Sequence, residues 1–363
     1  MLIIWWDFRI SIPGMTPRTL LQVGALAAAV GLLAGCNAAR APGAAPGPAG
    51  SSGGPALVLV TPNPVGVNDF FKLAVRGVES AAARHKGGQK VYQSTDPASI
   101  QQNLAAAVRE KPAVVVAVGF NFADAIAAEA ERSPGQKFLF VDSCTAKPFA
   151  NVTCAVFREY EGSYLAGAEA GLLSRTGKVG AVVALDTPQF RRFSVPFGQG
   201  AEKVKPGTTL TPLYIGGSNP FNDPARAKAL TATLGGQGVD QVMGAASAAG
   251  NPGVFEAAKQ GGFFAYGVDV DQCPLSPGQV VDNVVKRTDV VIGDGVDAIL
   301  SGQNGGTKSY GLKENGIALT GLQPEAASSQ CVVARYPDVI ERVGELRDQI
   351  VSGAITVEDP AKQ

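Results

Sequence analysis

Two doubly wound α/β lobes are what the residue pattern of this chain asks for, on three grounds. Short β-branched runs bounded by Gly and Pro alternate with longer amphipathic segments, the signature of βαβ units and parallel sheets. The alternation runs through one series, pauses, and restarts as a second series of similar length, which implies two sheets with helices on both faces. A chain of 363 residues is also longer than one compact core accommodates, so two lobes plus tails is the natural division.

The first series opens with a strand at Ala56–Thr61 and a helix at Asp69–His85. Strand Val91–Gln93, helix Ser99–Glu110, strand Ala113–Val118, helix Ala123–Arg132 and strand Lys137–Val141 follow. Val152–Val156 and the helix Tyr160–Ser174 close it. The second series comprises Val179–Ala184, Phe193–Val204, Leu210–Ile215, Pro224–Leu234, Gln241–Met243, Pro252–Lys259 and Phe264–Val268. After a Pro-punctuated loop, Val284-Val285-Lys286 opens a helix-like segment, and Thr288–Ser301 is helical in pattern. Strand-like pieces in Tyr310–Leu319 and a charged helix at Asp338–Ser352 are too few for a third domain. They are expected to complete the first lobe, giving lobe one as 55–175 plus 286–363 and lobe two as 176–285. The chain would then cross between lobes near Ser174–Lys178, near Val280–Lys286 and once more towards the end, forming a multi-strand hinge.

The front of the chain reads as an address. From Met15 a basic start at Arg18, an apolar stretch from Leu20 to Leu33 and small residues before Cys36 have the layout of a secretory signal. The apolar stretch is shorter than the roughly 20 residues a membrane span needs. Residues 1–14 fit neither part, so the start is placed at Met15 and the signal at 1–36. Leu33-Ala34-Gly35-Cys36 resembles a bacterial lipobox, with Cys36 receiving the lipid. Residues 37–54 are Ala, Pro, Gly and Ser with a single charge, Arg40, a flexible tether that cannot bury a core. Export places the other cysteines in an oxidising compartment, where disulfides are the default. Cys144 and Cys154 flank a short loop between apolar runs and are paired; Cys273 then pairs with Cys331, free buried thiols being the alternative.

Charge and motif exclude several functions. Lys+Arg and Asp+Glu are both 31, so there is no field to gather nucleic acid or an anionic surface. Thr61–Asp69 lacks the GxGxxG that lets a backbone approach a pyrophosphate, and Gly177-Lys178 has neither the upstream Gly nor the following Ser/Thr of a P-loop. No GxSxG follows a strand as a nucleophile elbow must, there is no HExxH or CxxC, and the only histidine, His85, lies among charged residues at a helix end. No catalytic residue, metal site or cofactor is therefore expected.

What remains is aromatic and carboxylate groups at strand ends. Phe70-Phe71 follow the first strand, Phe120 the third, and Phe221 the segment Tyr214–Gly216; Asp142 and Asp269 end two further runs. In open α/β sheets ligands bind outside the carboxyl ends of the strands. There, aromatic faces can sandwich a planar ring while carboxylates accept from ring N–H groups or ribose hydroxyls. Lys286 is placed to hold Asp269 ionised.

Several phrases together resemble one family: VGFNFADAI at Val118–Ile126, NVTCAVFREYEGSYLAG at Asn151–Gly167, RRFSVPFGQGAEKVKPG at Arg191–Gly207, YIGGSNPFNDPARAKAL at Tyr214–Leu230, and YGVDVDQ with VVKRTD. It is the basic membrane protein family of bacterial lipoproteins, the PnrA-like solute-binding components of nucleoside ABC transporters, and the likeness runs from about Ala56 to Thr356. It implies a type I periplasmic-binding fold, two Rossmann-like lobes closing on a purine nucleoside. It implies partners in an ABC permease and its ATPase, a monomer, a membrane association through lipid only, and no enzyme activity. Carried across by position, the ligand-binding residues are Asn63, Phe70, Asp142, Phe221, Asp269 and Lys286, joined by Asp69, Phe71, Phe120 and Ser247. Two positions depart from the family pattern. Asn63 stands where a carboxylate is usual, offering one acceptor and one donor, and Ser247 stands where glycine is usual. A sugar or other small metabolite bound by a surface sensor, and an exported α/β enzyme, are the alternatives left open.

Overall fold

The computed structural model describes residues 53–66 and 68–362; the signal segment, Cys36 and nearly all of the tether lie outside them. The first series is β1 (Leu57–Thr61), α1 (Asp69–Arg84), β2 (Gln89–Gln93), α2 (Pro97–Arg109), β3 (Val114–Val118), α3 (Ala123–Arg132), β4 (Phe138–Val141) and β5 (Val152–Phe157). The second is α4 (Glu159–Leu173), β6 (Lys178–Val183), α5 (Pro188–Val204), β7 (Thr209–Tyr214), α6 (Pro224–Gly236), β8 (Gln241–Ala245), α7 (Ser247–Gly261), β9 (Phe264–Asp269) and β10 (Val280–Lys286). The chain ends with α8 (Thr288–Leu300), β11 (Thr307–Tyr310), β12 (Ile317–Leu319) and α9 (Pro337–Ser352).

Two six-stranded sheets result, ordered β11-β5-β4-β3-β1-β2 and β12-β10-β9-β8-β6-β7. Every pairing in the first is parallel, and in the second only β12 runs antiparallel, on β10. Strands covered on both faces read as continuous apolar runs. In the first sheet Leu57, Leu59, Val116 and Leu139 face one core, while Val58, Val60, Val115 and Phe140 face the other with Leu104 and Ile126. The order of each sheet reverses beside its first strand, β1 or β6, and such switch points open a crevice at the strands' carboxyl ends.

Local chemistry sets the helix starts. Asn68 caps α1 by accepting from the Phe70 N–H, Asp96 and Ser99 form a reciprocal capping box on α2, and Asp223 accepts from the Arg226 N–H at 2.9 Å on α6. Helices α4 and α5 cross closely because they meet at glycines. A Cβ on Gly167 would collide with the Phe197 carbonyl oxygen, and one on Gly200 with that of Tyr164.

Four expectations change. Val284–Lys286 ends a strand, not the start of a helix: VVDNVVK has the β-branched character of a buried strand, and the helix begins at Thr288. Helices α5 and α7 begin a turn or more before Phe193 and Pro252, carrying Pro196 and Pro252 inside them. The first crossing lies at Arg158, not at Ser174–Lys178, since α4 packs on α5, β10 and β12 rather than on the first sheet. The block 286–363, expected whole in lobe one, divides. Helix α8 packs on α1 and β11 extends the first sheet, but β12 joins the second and α9 packs on α4. The chain therefore passes between the sheets three times, at Arg158, at Arg287 and at Gly311–Gly316.

Candidate functional site

The carboxyl ends of both sheets face one cavity of about 600 Å³, a size typical of small-molecule sites. The first sheet contributes Asn63 from the loop after β1, Phe70 and Phe71 from the first turn of α1, then Phe120 after β3 and Asp142 after β4. The second contributes Phe190 and Phe193 from α5, Phe221 from the loop after β7, Ser247 at the start of α7, Asp269 at the end of β9 and Lys286 at the end of β10. Asp142, Ser247 and Asp269 all adopt left-handed backbone, φ 75°, 73° and 71°. Such conformations are costly for non-glycine residues and persist where surrounding structure fixes them.

That fixing is visible around the cavity. Ser247 Oγ donates to the Phe221 carbonyl oxygen at 2.5 Å, tying the aromatic loop to α7. Buried Asn251 accepts from the Ala246 N–H at 3.0 Å and donates to Gln272 Oε1 at 2.7 Å, and that same oxygen accepts from the Val268 N–H at 3.2 Å. The ends of β8 and β9 are thus bound to one another through side chains. On the other sheet, Thr61 Oγ1 donates to the Asn63 carbonyl at 2.8 Å and Gln93 Oε1 accepts from the Val65 N–H at 2.7 Å, holding the β1 loop.

At the floor lies a buried charge cluster. Lys286 Nζ is 2.7 Å from Asp142 Oδ1, 3.1 Å from Glu159 Oε1 and 3.9 Å from Asp269 Oδ1. The rings of Phe70, Phe157 and Phe193 surround the same ammonium at 5.4–5.7 Å from their centroids. Burial pushes the Asp269 carboxyl up to about 6; Lys286 opposes this, while Asp142 and Glu159 add to it. Burial would lower the Lys286 pKa, but the facing carboxylates outweigh it and the ammonium is held well above its ordinary value. The Glu159 carboxyl is raised, chiefly by burial. Lys286 was expected to serve Asp269 first; it is closer to Asp142 and Glu159.

Above the floor, Phe120 meets Phe190 and Phe221 with ring centroids 6.3 and 5.8 Å apart, and Phe190 meets Phe221 at 5.4 Å. Since Phe120 comes from the first sheet and the other two from the second, the cluster bridges the cleft. All the candidate ligand residues line the cavity except Asp69, which pairs with Lys72 at 2.8 Å on the exposed first turn of α1. Sequence reasoning missed Glu159, Phe190 and Phe193. A signal for Glu159 existed: α4 is apolar nearly all round, and a carboxylate buried in such a helix needs a partner. The sulfurs of Cys144 and Cys154 lie 2.01 Å apart and those of Cys273 and Cys331 1.97 Å apart, both at disulfide distance. Among the described residues no helix is long and apolar enough to cross a membrane.

A cavity between the carboxyl ends of two facing α/β sheets, joined by three chain crossings, defines a two-lobed solute-binding protein. The chain belongs to the ABC transporter substrate-binding protein PnrA-like family, whose model matches residues 57–356. Membership makes it a substrate-binding component rather than an enzyme. It is 29% identical over 366 aligned residues, 94% of this chain and 99% of the relative, to the ABC transporter nucleoside-binding protein BmpA of Lactococcus lactis subsp. cremoris. It is 30% identical over 290 residues, 74% of this chain and 77% of the relative, to the CD4+ T-cell-stimulating antigen of Listeria innocua. Among solved structures, an ABC transporter solute-binding protein from Aeropyrum pernix K1 superposes with TM-score 0.69 at 25% identity, covering 84% of this chain and 93% of the other.

Proposed function

We propose that this protein captures a purine nucleoside between its lobes and delivers it, chemically unchanged, to a membrane permease driven by its ATPase. In this reading Cys36 carries the lipid that holds a monomeric protein at the outer face of a bacterial membrane, and both cysteine pairs are oxidised there. The observation that carries it is the meeting, in one cavity, of phenyl rings with the carboxylates of Asp142 and Asp269. Flat faces stack a base, and carboxylates accept from sugar hydroxyls and ring N–H groups. The name of the Lactococcus lactis relative, a nucleoside-binding protein, supports the same ligand class. The cluster of three carboxylates around one ammonium disfavours phosphorylated nucleotides, which would bring further negative charge to an acidic floor. Thermal denaturation with a panel of nucleosides, nucleotides and sugars tests this. A ligand at about a hundred times its dissociation constant adds about 2.7 kcal/mol to the native state. Purine nucleosides are expected to raise the melting temperature, and a response confined to sugars would overturn the assignment.

A further inference from the structure

The ammonium of Lys286 carries three N–H donors and faces three carboxylates. It hydrogen-bonds Asp142 at 2.7 Å and lies 3.1 Å from Glu159, but Asp269 at 3.9 Å is beyond hydrogen-bonding reach. Glu159 is 2% exposed and is the first residue of α4, directly after the chain crosses between sheets. Its second oxygen, Oε2, has no hydrogen-bond partner and sits 3.7 Å from Arg192 Nη1. Arg192 is committed elsewhere: it grips Asp359 with two bonds of 2.8 Å. Asp359 precedes the C-terminal turn Pro360–Lys362, which packs on α5, and it also accepts from the Ala361 N–H at 3.0 Å. A line of alternating charges thus runs from the C-terminal turn through α5 and α4 to the floor of the cleft.

We propose that Glu159 is the positioning residue of the site: by sharing the Lys286 ammonium with Asp142 it keeps that cation off Asp269, whose oxygens stay open to the ligand's hydroxyls. Arg192 and Asp359 set how firmly it does so. The three carboxylates compete for one ammonium. A lysine that loses one acceptor turns to the next, and the next here is Asp269, less than an ångström beyond contact. An Asp269 occupied by Lys286 has less acceptor capacity left for a ligand. Arg192, released from Asp359, is the next cation to Glu159 after Lys286, at 3.7 Å, and would draw it away from Lys286. Asp269 is faced by Lys286 from β10, Asp142 from the end of β4 and Glu159 from α4; Arg192 is faced by Glu159, Asp359 and Tyr160. Asp359 is faced by Lys362 as well as by Arg192.

The consequence for affinity presumes the nucleoside reading above, so the test has one arm that needs no ligand. In the ligand-free protein, the titration of the Asp269 carboxyl is followed by carbon NMR in wild type, Glu159→Gln and Asp359→Asn. Both variants are expected to move its midpoint downward: Glu159→Gln by about one pH unit, through the lost charge as well as through Lys286 closing on Asp269, and Asp359→Asn by less, through Lys286 alone. Asp359 lies in the terminal turn, where a change leaves both sheets intact, so this variant serves even if Glu159→Gln folds poorly. In the second arm calorimetry with inosine should give Glu159→Gln an affinity lower by roughly five- to tenfold at pH 7.5. Because Glu159→Gln also removes a negative charge that itself raises the Asp269 carboxyl, the deciding variant is Asp359→Asn, which keeps Glu159 charged: a purely structural Glu159 leaves the midpoint there as in wild type. An unmoved midpoint in Asp359→Asn overturns the positioning role. A wild type that binds no nucleoside overturns the functional reading instead, leaving the NMR arm to judge Glu159 alone.

Discussion

If Asp269 takes the ligand's hydroxyls as proposed, a carboxyl pushed up to about 6 at the floor of the cleft should make ligand capture depend on pH. Asp269 is pushed there by burial, with Lys286 opposing and Asp142 and Glu159 reinforcing. Only the ionised form accepts two hydroxyl donors, so affinity for inosine should fall as pH drops through about 6, approaching tenfold per unit. Binding below that midpoint should release a proton to the buffer. Asp269→Asn should bind at least about tenfold more weakly at pH 8, a loss of roughly 1.4 kcal/mol, and lose the dependence between pH 5 and 7. Calorimetry in buffers of different ionisation enthalpy measures both, and a wild-type affinity flat across that range would remove Asp269 from contact with the ligand. Much of this site is legible in the sequence because β-strands deliver their last residue to the sheet's edge: Asp142 and Asp269 each follow an apolar run. Glu159, Phe190 and Phe193 are harder to read because they reach the cleft from helices. A helical residue faces the site only by virtue of its helix's rotation and crossing, which are tertiary facts.

Helix α4 shows how one element couples the crossing to the core of the second lobe. Beyond Glu159, its Glu169 is fully buried with neither oxygen hydrogen-bonded, facing Asp282 on β10, while the buried Tyr266 hydroxyl lacks a partner nearby. Asp282 accepts from the N–H groups of Asn283 at 2.6 Å and Gly321 at 2.9 Å. Burial raises both carboxyls, Glu169 well above its ordinary range with Asp282 adding to it, and Asp282 to about 7. The folded state then holds protons that the unfolded chain surrenders near pH 4, so stability falls as pH rises from about 4 to 7. Glu169→Gln would let an amide N–H reach Asp282 and remove one titrating acid. Its melting temperature should decline less between pH 5 and 8 than that of wild type; parallel curves would mean that Glu169 does not change its protonation on unfolding in that range. Elements of this kind set the limit of sequence reading. The strand-and-helix rhythm of both sheets is visible in β-branched runs and punctuation. The membership of α4 and β12 in the second lobe is not, because it depends on where Gly167 and Gly200 let two helices approach and on which edge of a finished sheet stays open.

At the scale of the whole molecule, closure is a balance between a hinge of three crossings and the contacts that join the two sheets across the cleft. Two such contacts stand out. The Asp142–Lys286 ion pair joins the floor at 2.7 Å, and the ring of Phe120 meets those of Phe190 and Phe221 nearer the mouth. The first uses a carboxylate proposed to accept from the ligand, so its removal would confuse binding with closure. The aromatic contact is the better probe: Phe120 also lines the cavity, but losing it leaves the carboxylates, Lys286 and the stacking candidates Phe70 and Phe221 in place. Aromatic pairs of this geometry contribute about 0.5–1.5 kcal/mol each beyond their buried area. Two pairs lost on Phe120→Ala should therefore shift the open–closed balance by about 1–3 kcal/mol towards the open form. A ligand held by a lid that opens more often leaves sooner. Dissociation of inosine, followed by stopped flow, should accelerate about tenfold or more while association changes little, since affinity differences between related complexes lie mostly in the off-rate. Small-angle scattering on the ligand-free variant should show a larger radius of gyration than wild type. An unchanged off-rate with unchanged dimensions would mean that the three rings only fill space and that the hinge alone sets how long the guest is kept.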